Sequence, residues 1–224
     1  RLKIIQSLAE ELKRGSEKFI AGVTAGDFVN TLTRKVYKGD RGFLFIPVIR
    51  QIAYIEWKKR EAGGNFVKNH GSDDSEYRQG LEYPATDVKE LSNGNLLVKT
   101  REVYGYVIDQ DTNEIEQAII SLKRTEVKKA KQLNGHLKNL KHPTTGKQLP
   151  PFAGVFLVTA SISSNPKGDQ WNNYDFAPHG FTLQIPEIGK KAYELAKELF
   201  NMSKEGKIKA ASYNDESLDS DEEE

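Results

Sequence analysis

The sequence predicts an α+β chain, mainly β with helices. Three observations carry this. Segments such as "FLFIPVIRQIAYIEWKK" (43–59) are dense in β-branched and aromatic residues. Two segments, 124–141 and 186–206, carry apolar residues at helical spacing. A long polar, glycine-bearing stretch, 60–94, shows no period and separates the first long strand from the second.

In chain order, Leu2, Ile5, Leu8 and Leu12 recur at helix-like spacing, which predicts a short helix or a docked arm. Breaks at Gly22 and Gly26 follow. "FVNTLTRKVYKGDRG" (28–42) reads as a short strand pair with its turn near Gly39 and Asp40. The strand over 43–59 contains Pro47, which marks an edge or a bulge because proline has no N–H to give a ladder. Beyond the 60–94 connection, "NLLVKTREVYGYVID" (95–109) and "EIEQAIISL" (114–122) form two strands joined by the turn "QDTN". Residues 124–141 form a helix with Val127, Ala130, Leu133, Leu137 and Leu140 on one side. Arg124, Lys128, Lys131 and Lys138 fall on the other. "HPTTGKQLPP" stops this helix. "FAGVFLVTASIS" (152–163) is a strand, "SNPKGDQW" a loop, and "NNYDFAPHGFTLQI" a last strand or broken pair. Pro186 and Glu187 open the terminal helix.

That order is strand, long loop, two strands, helix, two strands, helix. A five-stranded, partly open barrel of OB-fold type has it, with extra terminal helices. Residues 1–206 are expected to form one OB-like nucleic-acid-binding domain with an N-terminal extension. Residues 207–224 form an acidic tail with too little apolar surface to fold alone.

The chain has 224 residues, enough to bury a core. It has no cysteine, which excludes disulfides, thiolate catalysis and cysteine-ligated zinc. The first residues lack signal-peptide architecture and no apolar run reaches a membrane span, so an intracellular, cytoplasmic protein without membrane contact is expected. Arg1 is not a start methionine, so further residues are expected upstream of it. The net charge of +1 conceals an asymmetry: seven of the 32 acids lie in "NDESLDSDEEE" (214–224), leaving 33 bases against 25 acids before it. A basic body with an acidic tail points to an anionic partner.

Catalytic signatures fail on inspection. "DQDTNEIEQAII" starts like a calcium loop, but Glu114 replaces the turn glycine and Ile120 the final acid. "TTGKQ" lacks the first glycine and the Ser/Thr of a phosphate loop. His70, His136, His142 and His179 are dispersed, and no nucleophile elbow appears. No catalytic centre, metal or cofactor is expected. The alternative is a metal-dependent nuclease or recombination accessory enzyme using Asp73, Asp74 and Glu76 of "HGSDDSE".

Binding features are richer. Residues 123–147 hold eight Lys/Arg against the single acid Glu126. Aromatics and bases interleave at Arg50, Tyr54, Trp57, Lys58, Lys59 and Arg60, at Lys99, Arg101, Tyr104 and Tyr106, and at Lys167, Trp171 and Tyr174. From these, Arg50, Tyr54, Trp57, Lys58, Arg60, Lys99, Arg101, Tyr104, Tyr106 and Trp171, with Lys128 and Lys131 from the helix, are the candidate contacts to single-stranded nucleic acid. There cations neutralise phosphates and aromatic rings stack on bases. By strand period, Lys99 and Arg101 face opposite to Tyr104 and Tyr106 unless Gly105 or another point carries a bulge. The tail acids Asp215, Glu216, Asp219, Asp221, Glu222, Glu223 and Glu224 would compete with DNA for the same cations.

The basic-aromatic groove, the OB-type order and the acidic end together resemble bacteriophage single-stranded DNA-binding proteins of the replication machinery. "GDFVNTLT" (26–33), "IPVIRQIAYIEWKKREAGGNFV" (46–67) and "PPFAGVFLVTAS" (150–161) share in the likeness, which spans roughly residues 1–200. The resemblance implies sequence-tolerant binding of single strands in replication and recombination, homo-oligomers in some members, and tail contacts with polymerase or helicase. In one respect the chain departs: its tail ends in Glu222, Glu223 and Glu224 rather than an aromatic or apolar tip. A phage structural or assembly protein is the remaining alternative.

Overall fold

The computed structural model describes residues 1–59, 61, 66–71 and 87–206. Among them, strands β1 (Leu2–Ile4), β2 (Phe28–Asn30), β3 (Val36–Tyr37), β4 (Phe43–Trp57), β5 (Phe66–Asn69) and β6 (Val88–Glu90) precede β7 (Leu96–Ile108), β8 (Ile115–Leu122), β9 (Gly154–Ser164) and β10 (Gln170–Phe181). Helix α1 (Val127–Lys138) lies between β8 and β9, and α2 (Gly189–Lys204) follows β10.

All the strands join one mixed sheet in the order β10-β9-β4-β7-β8-β1-β2-β3, with β5 added to β4 and β6 to β7. Among the described residues, only the contact of β1 with β8 is parallel, Leu2 pairing with Ile120. The sheet curls into a half-barrel. Its core-facing side carries Phe43, Phe45, Val103, Val107, Ile120, Phe156, Val158, Tyr174 and Phe176, and Ala130, Leu133 and Leu137 of α1 pack into the same core. On the other face of β4, Leu44, Ile46 and Val48 pack against Ala192, Ala196 and Leu199 of α2. The curl brings β10 back to the N-terminal segment. The Tyr174 hydroxyl donates to the Leu2 carbonyl at 2.9 Å, and Gln6 exchanges two 2.9 Å bonds with the backbone of Asn172.

The architecture is thus an α+β open barrel. β4, β7, β8, β9 and β10 are its long strands with α1 after the third, as the element order predicts, and β1–β3 extend it beyond five strands. Three local expectations change. Residues 2–12 are a strand followed by a 3-10 turn at Glu10–Leu12: Leu2 and Ile4 alternate inward with strand period, while Leu8 is exposed. The turn between β2 and β3 falls at 31–35, where Asn30 Oδ1 accepts from the Leu32 N–H at 3.1 Å and Arg34 takes a positive φ of 58°. Gly39 instead leads into β4. The 60–94 connection contributes β5 and β6 within its described part.

β4 contains the irregularity that Pro47 announces. Pro47 pairs with Gly105 and Ile49 with Tyr104, leaving Val48 as an extra residue. The bulge is on β4, and β7 runs regularly through Gly105. Gly105 is required there, because a Cβ would lie 2.2 Å from the Ile46 carbonyl oxygen and 2.8 Å from the Phe45 ring. Gly105→Ala is expected to destabilise the fold by about 1–3 kcal/mol, measured by urea unfolding. A wild-type midpoint would show that the bulge tolerates the methyl group.

Candidate functional site

Side chains alternate along a strand, so one extra residue inverts the facing of everything after it. Upstream of Val48, Phe43 and Phe45 face the core. Downstream, the residues sharing that side are Arg50, Ile52 and Tyr54. The ladder sets them opposite Val103, Arg101 and Lys99 respectively. This part of the β4–β7 ribbon reaches past the barrel core and forms one wall of a cleft of about 760 Å³. Ala130, Leu133, Asn134 and Lys138 of α1 line the facing wall, and Phe200, Ser203 and Lys204 of α2 close one end.

The cleft is mixed in character. Ile52 is an exposed apolar side chain in its lining, at 38%. Arg50 is exposed and donates to Asn134 Oδ1 at 2.7 Å, tying the ribbon to α1. Arg101 is paired through Nη1 with Asp87 Oδ2 at 2.6 Å. The Lys204 ammonium sits 4.6 Å from the Phe200 ring centre. Lys128, Lys131 and Lys138 are all exposed, and their spacing puts them on one stripe of α1 that ends at the cleft. Lys129 is taken out of this set by Asp175, 2.7 Å away.

A buried clasp supports the ribbon. Glu56, two residues beyond Tyr54, accepts from Asn95 Nδ2 at 2.6 Å and Asn93 Nδ2 at 2.9 Å, with His70 Nε2 at 2.8 Å. Backbone bonds reinforce it: Tyr54 exchanges N–H and carbonyl contacts with Gly71 and His70. The cluster fastens the segment after β5 and the turn before β7 to β4. Burial alone would raise the Glu56 pKa, but the bonds from Asn95, Asn93 and His70 outweigh it and hold the carboxyl below its ordinary value.

The structure therefore brings Arg50, Tyr54 and Arg101 together in the cleft, with Lys99 on the same face and Lys128 and Lys131 on the adjoining helix. It does not bring Tyr104 or Tyr106 there. Tyr104 is buried on the opposite face, donating to Glu102 Oε2 at 3.0 Å and accepting from Gln51 Nε2 at 2.7 Å. Tyr106 packs with the α2 side of the sheet. The reason is parity: the bulge shifts β4 and leaves β7 in step. Trp57 also lies on the far face, edge-on to Phe66 at 5.8 Å and under the Lys123 ammonium at 4.8 Å. Trp171 sits half-buried on β10 opposite Ser163, away from the cleft lining, and Lys58 is exposed just after β4. Arg60, Asp73, Asp74, Glu76 and the tail acids lie outside the described residues. Sequence reasoning missed Ile52, Asn134, Phe200, Lys204 and Asp87. Only a helix-face argument on Asn134, next to the lysine stripe, offered a signal.

Among the described residues no group of three or more His, Cys, Asp or Glu side chains is placed to hold a metal ion. No helix among them is long and apolar enough to cross a membrane.

An open β-barrel whose extended ribbon carries a cationic, partly apolar cleft is consistent with nucleic-acid-binding superfamilies in general. Residues 1–209 match a family model, and the chain belongs to that family, described as Pam3 phage gp34-like protein. It is accordingly a phage-associated protein. No curated protein and no solved structure matches the chain.

The clasp makes a pH prediction. Unfolded, Glu56 ionises near its ordinary value of 4.5; folded, it ionises lower. Its stabilisation is complete above the unfolded value and is lost as pH falls through the folded one. Glu56→Gln should lower stability at neutral pH by about 1–3 kcal/mol and flatten the loss on acidification, read by urea unfolding at each pH. Parallel pH curves for the two proteins would sink this assignment.

Proposed function

We propose that the protein binds single-stranded DNA in this cleft and acts in phage DNA replication or recombination. One observation carries the reading: the Val48 bulge aligns Arg50, Ile52 and Tyr54 with Lys99 and Arg101 on one face, and the cleft they enter is also lined by Asn134 and Lys138 of α1. Single strands need cations for phosphates and flat or apolar surface for exposed bases, and the cleft offers both. The strand order supports the same reading. Taken as the five strands of an OB plan, β4, β7, β8, β9 and β10 place the long 60–94 connection between the first and second strands, and such loops border the binding face in that plan.

Arg50, Lys128, Lys131, Lys138 and Lys204 are the cations free of a carboxylate partner around the cleft among the described residues. Five phosphate contacts give a slope of log affinity against log salt of about −3.5. Phosphate contacts carry no sequence information, which makes the binding broadly tolerant of sequence.

The acidic end enters through geometry. Lys204, in the last turn of α2, lines the cleft, and the chain runs on from Gly206 into the segment bearing Asp215, Glu216, Asp219 and Asp221 to Glu224. Tethered there, these carboxylates stand at high effective concentration beside the cations and compete with DNA. DNA in the cleft releases them for replication proteins such as polymerase or helicase.

Fluorescence anisotropy with labelled oligo-dT tests both parts. The full chain should bind with the slope above, and Lys138→Ala should reduce that slope by about 0.7. A chain ending at Tyr213 should bind more tightly at low salt, with the gap closing as salt rises. If neither form binds at low salt, the cleft is not a nucleic-acid site.

A further inference from the structure

The cleft is not uniformly cationic, and the difference lies at Arg101. Its partner Asp87 is buried, at 8%, and stands behind the cleft wall rather than in it. Asp87 is also held by its backbone: its carbonyl accepts from the Lys99 N–H at 2.9 Å where β6 joins β7. An incoming phosphate that pulled Arg101 away would leave a buried carboxylate unpaired, which is strongly unfavourable. Asp87 therefore stays, and Arg101 meets the cleft with its charge already compensated. What it presents is direction. The Asp87 contact engages Nη1, so Nη2 and Nε keep their N–H donors in one fixed plane. In the ladder Arg101 sits opposite the exposed Ile52, two pairs from Tyr54 and on the same face. Fixed coplanar donors beside an apolar surface suit the edge of a base better than a phosphate.

We infer that Arg101, positioned by Asp87, is a base-reading point selective for guanine, while α1 and Lys204 hold the sugar-phosphate backbone. Guanine offers two adjacent acceptors, O6 and N7, to a planar guanidinium; adenine sets N7 beside an amino donor. This rests on the single-strand reading above and adds a preference to it.

The test uses the full chain and thymine oligonucleotides of one length carrying guanine, adenine or 7-deazaguanine at the same scattered positions. Guanine should bind about tenfold tighter than adenine, and 7-deazaguanine, which lacks N7, should lose most of that advantage. Arg101→Lys keeps the charge and the pairing with Asp87, so the protein folds; it should abolish the preference and leave the salt slope unchanged. Asp87→Asn suits the positive φ of 57° at this position. By uncovering the Arg101 charge it should steepen the slope by about 0.7. Wild-type protein that binds all three oligonucleotides equally would overturn the inference and leave the single-strand reading intact. So would a preference that survives Arg101→Lys, or an Arg101→Ala variant whose slope falls as Lys138→Ala does. Failure of the wild type to bind any oligonucleotide would overturn both.

Discussion

Because side chains alternate along a strand, the unpaired Val48 inverts the facing of every later residue in β4, and the cleft follows from that inversion. Without it, the ladder would turn Ile49, Gln51 and Ala53 toward α1 and send Arg50 and Tyr54 to the far face. Two residues permit the bulge for different reasons. Pro47 has no N–H to leave unpaired. Gly105, opposite it, has no Cβ to collide with the Ile46 carbonyl and the Phe45 ring. Val48 does not wander once expelled from the ladder, since it is buried against the α2 side of the sheet. Backbone chemistry and core packing therefore agree on one register.

The surrounding elements hold that register in place. Upstream of the bulge, Phe43 and Phe45 are locked into the barrel core, where Phe28 meets Phe43 edge-on at 5.1 Å. Beyond the Arg101–Leu122 pair β8 ends, and β4 and β7 would be two strands alone, marginal in water. The Glu56 clasp compensates by adding β5, His70 and the turn at Asn93 and Asn95 to its flank. α1 does double duty, since Leu133 and Leu137 fill the barrel while Asn134 and Lys138 line the cleft. The side of α1 that makes the site is thus set by the side that makes the core.

Much of this was legible in the sequence. The long strands, both helices and the bulge at Pro47 follow from β-branched density, helical spacing and the missing proline N–H. Arg50, Tyr54 and Arg101 were legible as a basic-aromatic set, but their common facing was not. Parity between two strands depends on where the extra residue sits, and Tyr104 and Tyr106 were counted with the site because a bulge on β7 would have put them there. The N-terminal arm misled for a related reason. Leu2, Ile5, Leu8 and Leu12 mimic a helical repeat, yet Leu2 and Ile4 are ladder residues and Leu8 is exposed. Lys204 and Phe200 reach the cleft only because α2 folds back across β4, a tertiary fact that no local pattern records.

That fold-back also fixes where the acidic segment begins. Ala192, Ala196 and Leu199 pack against Leu44, Ile46 and Val48, so α2 is seated on the very stretch of β4 that carries the bulge. The last turn of the helix consequently reaches the cleft, with Ser203 and Lys204 in its lining. One packing arrangement thereby sets three things together: the register of β4, the cations that face the cleft, and the point from which residues 207–224 depart. On the single-strand reading proposed above, the cleft and its tethered competitor are coupled through the core. A substitution that loosened α2 would change the cleft's shape and displace its C-terminal turn at once.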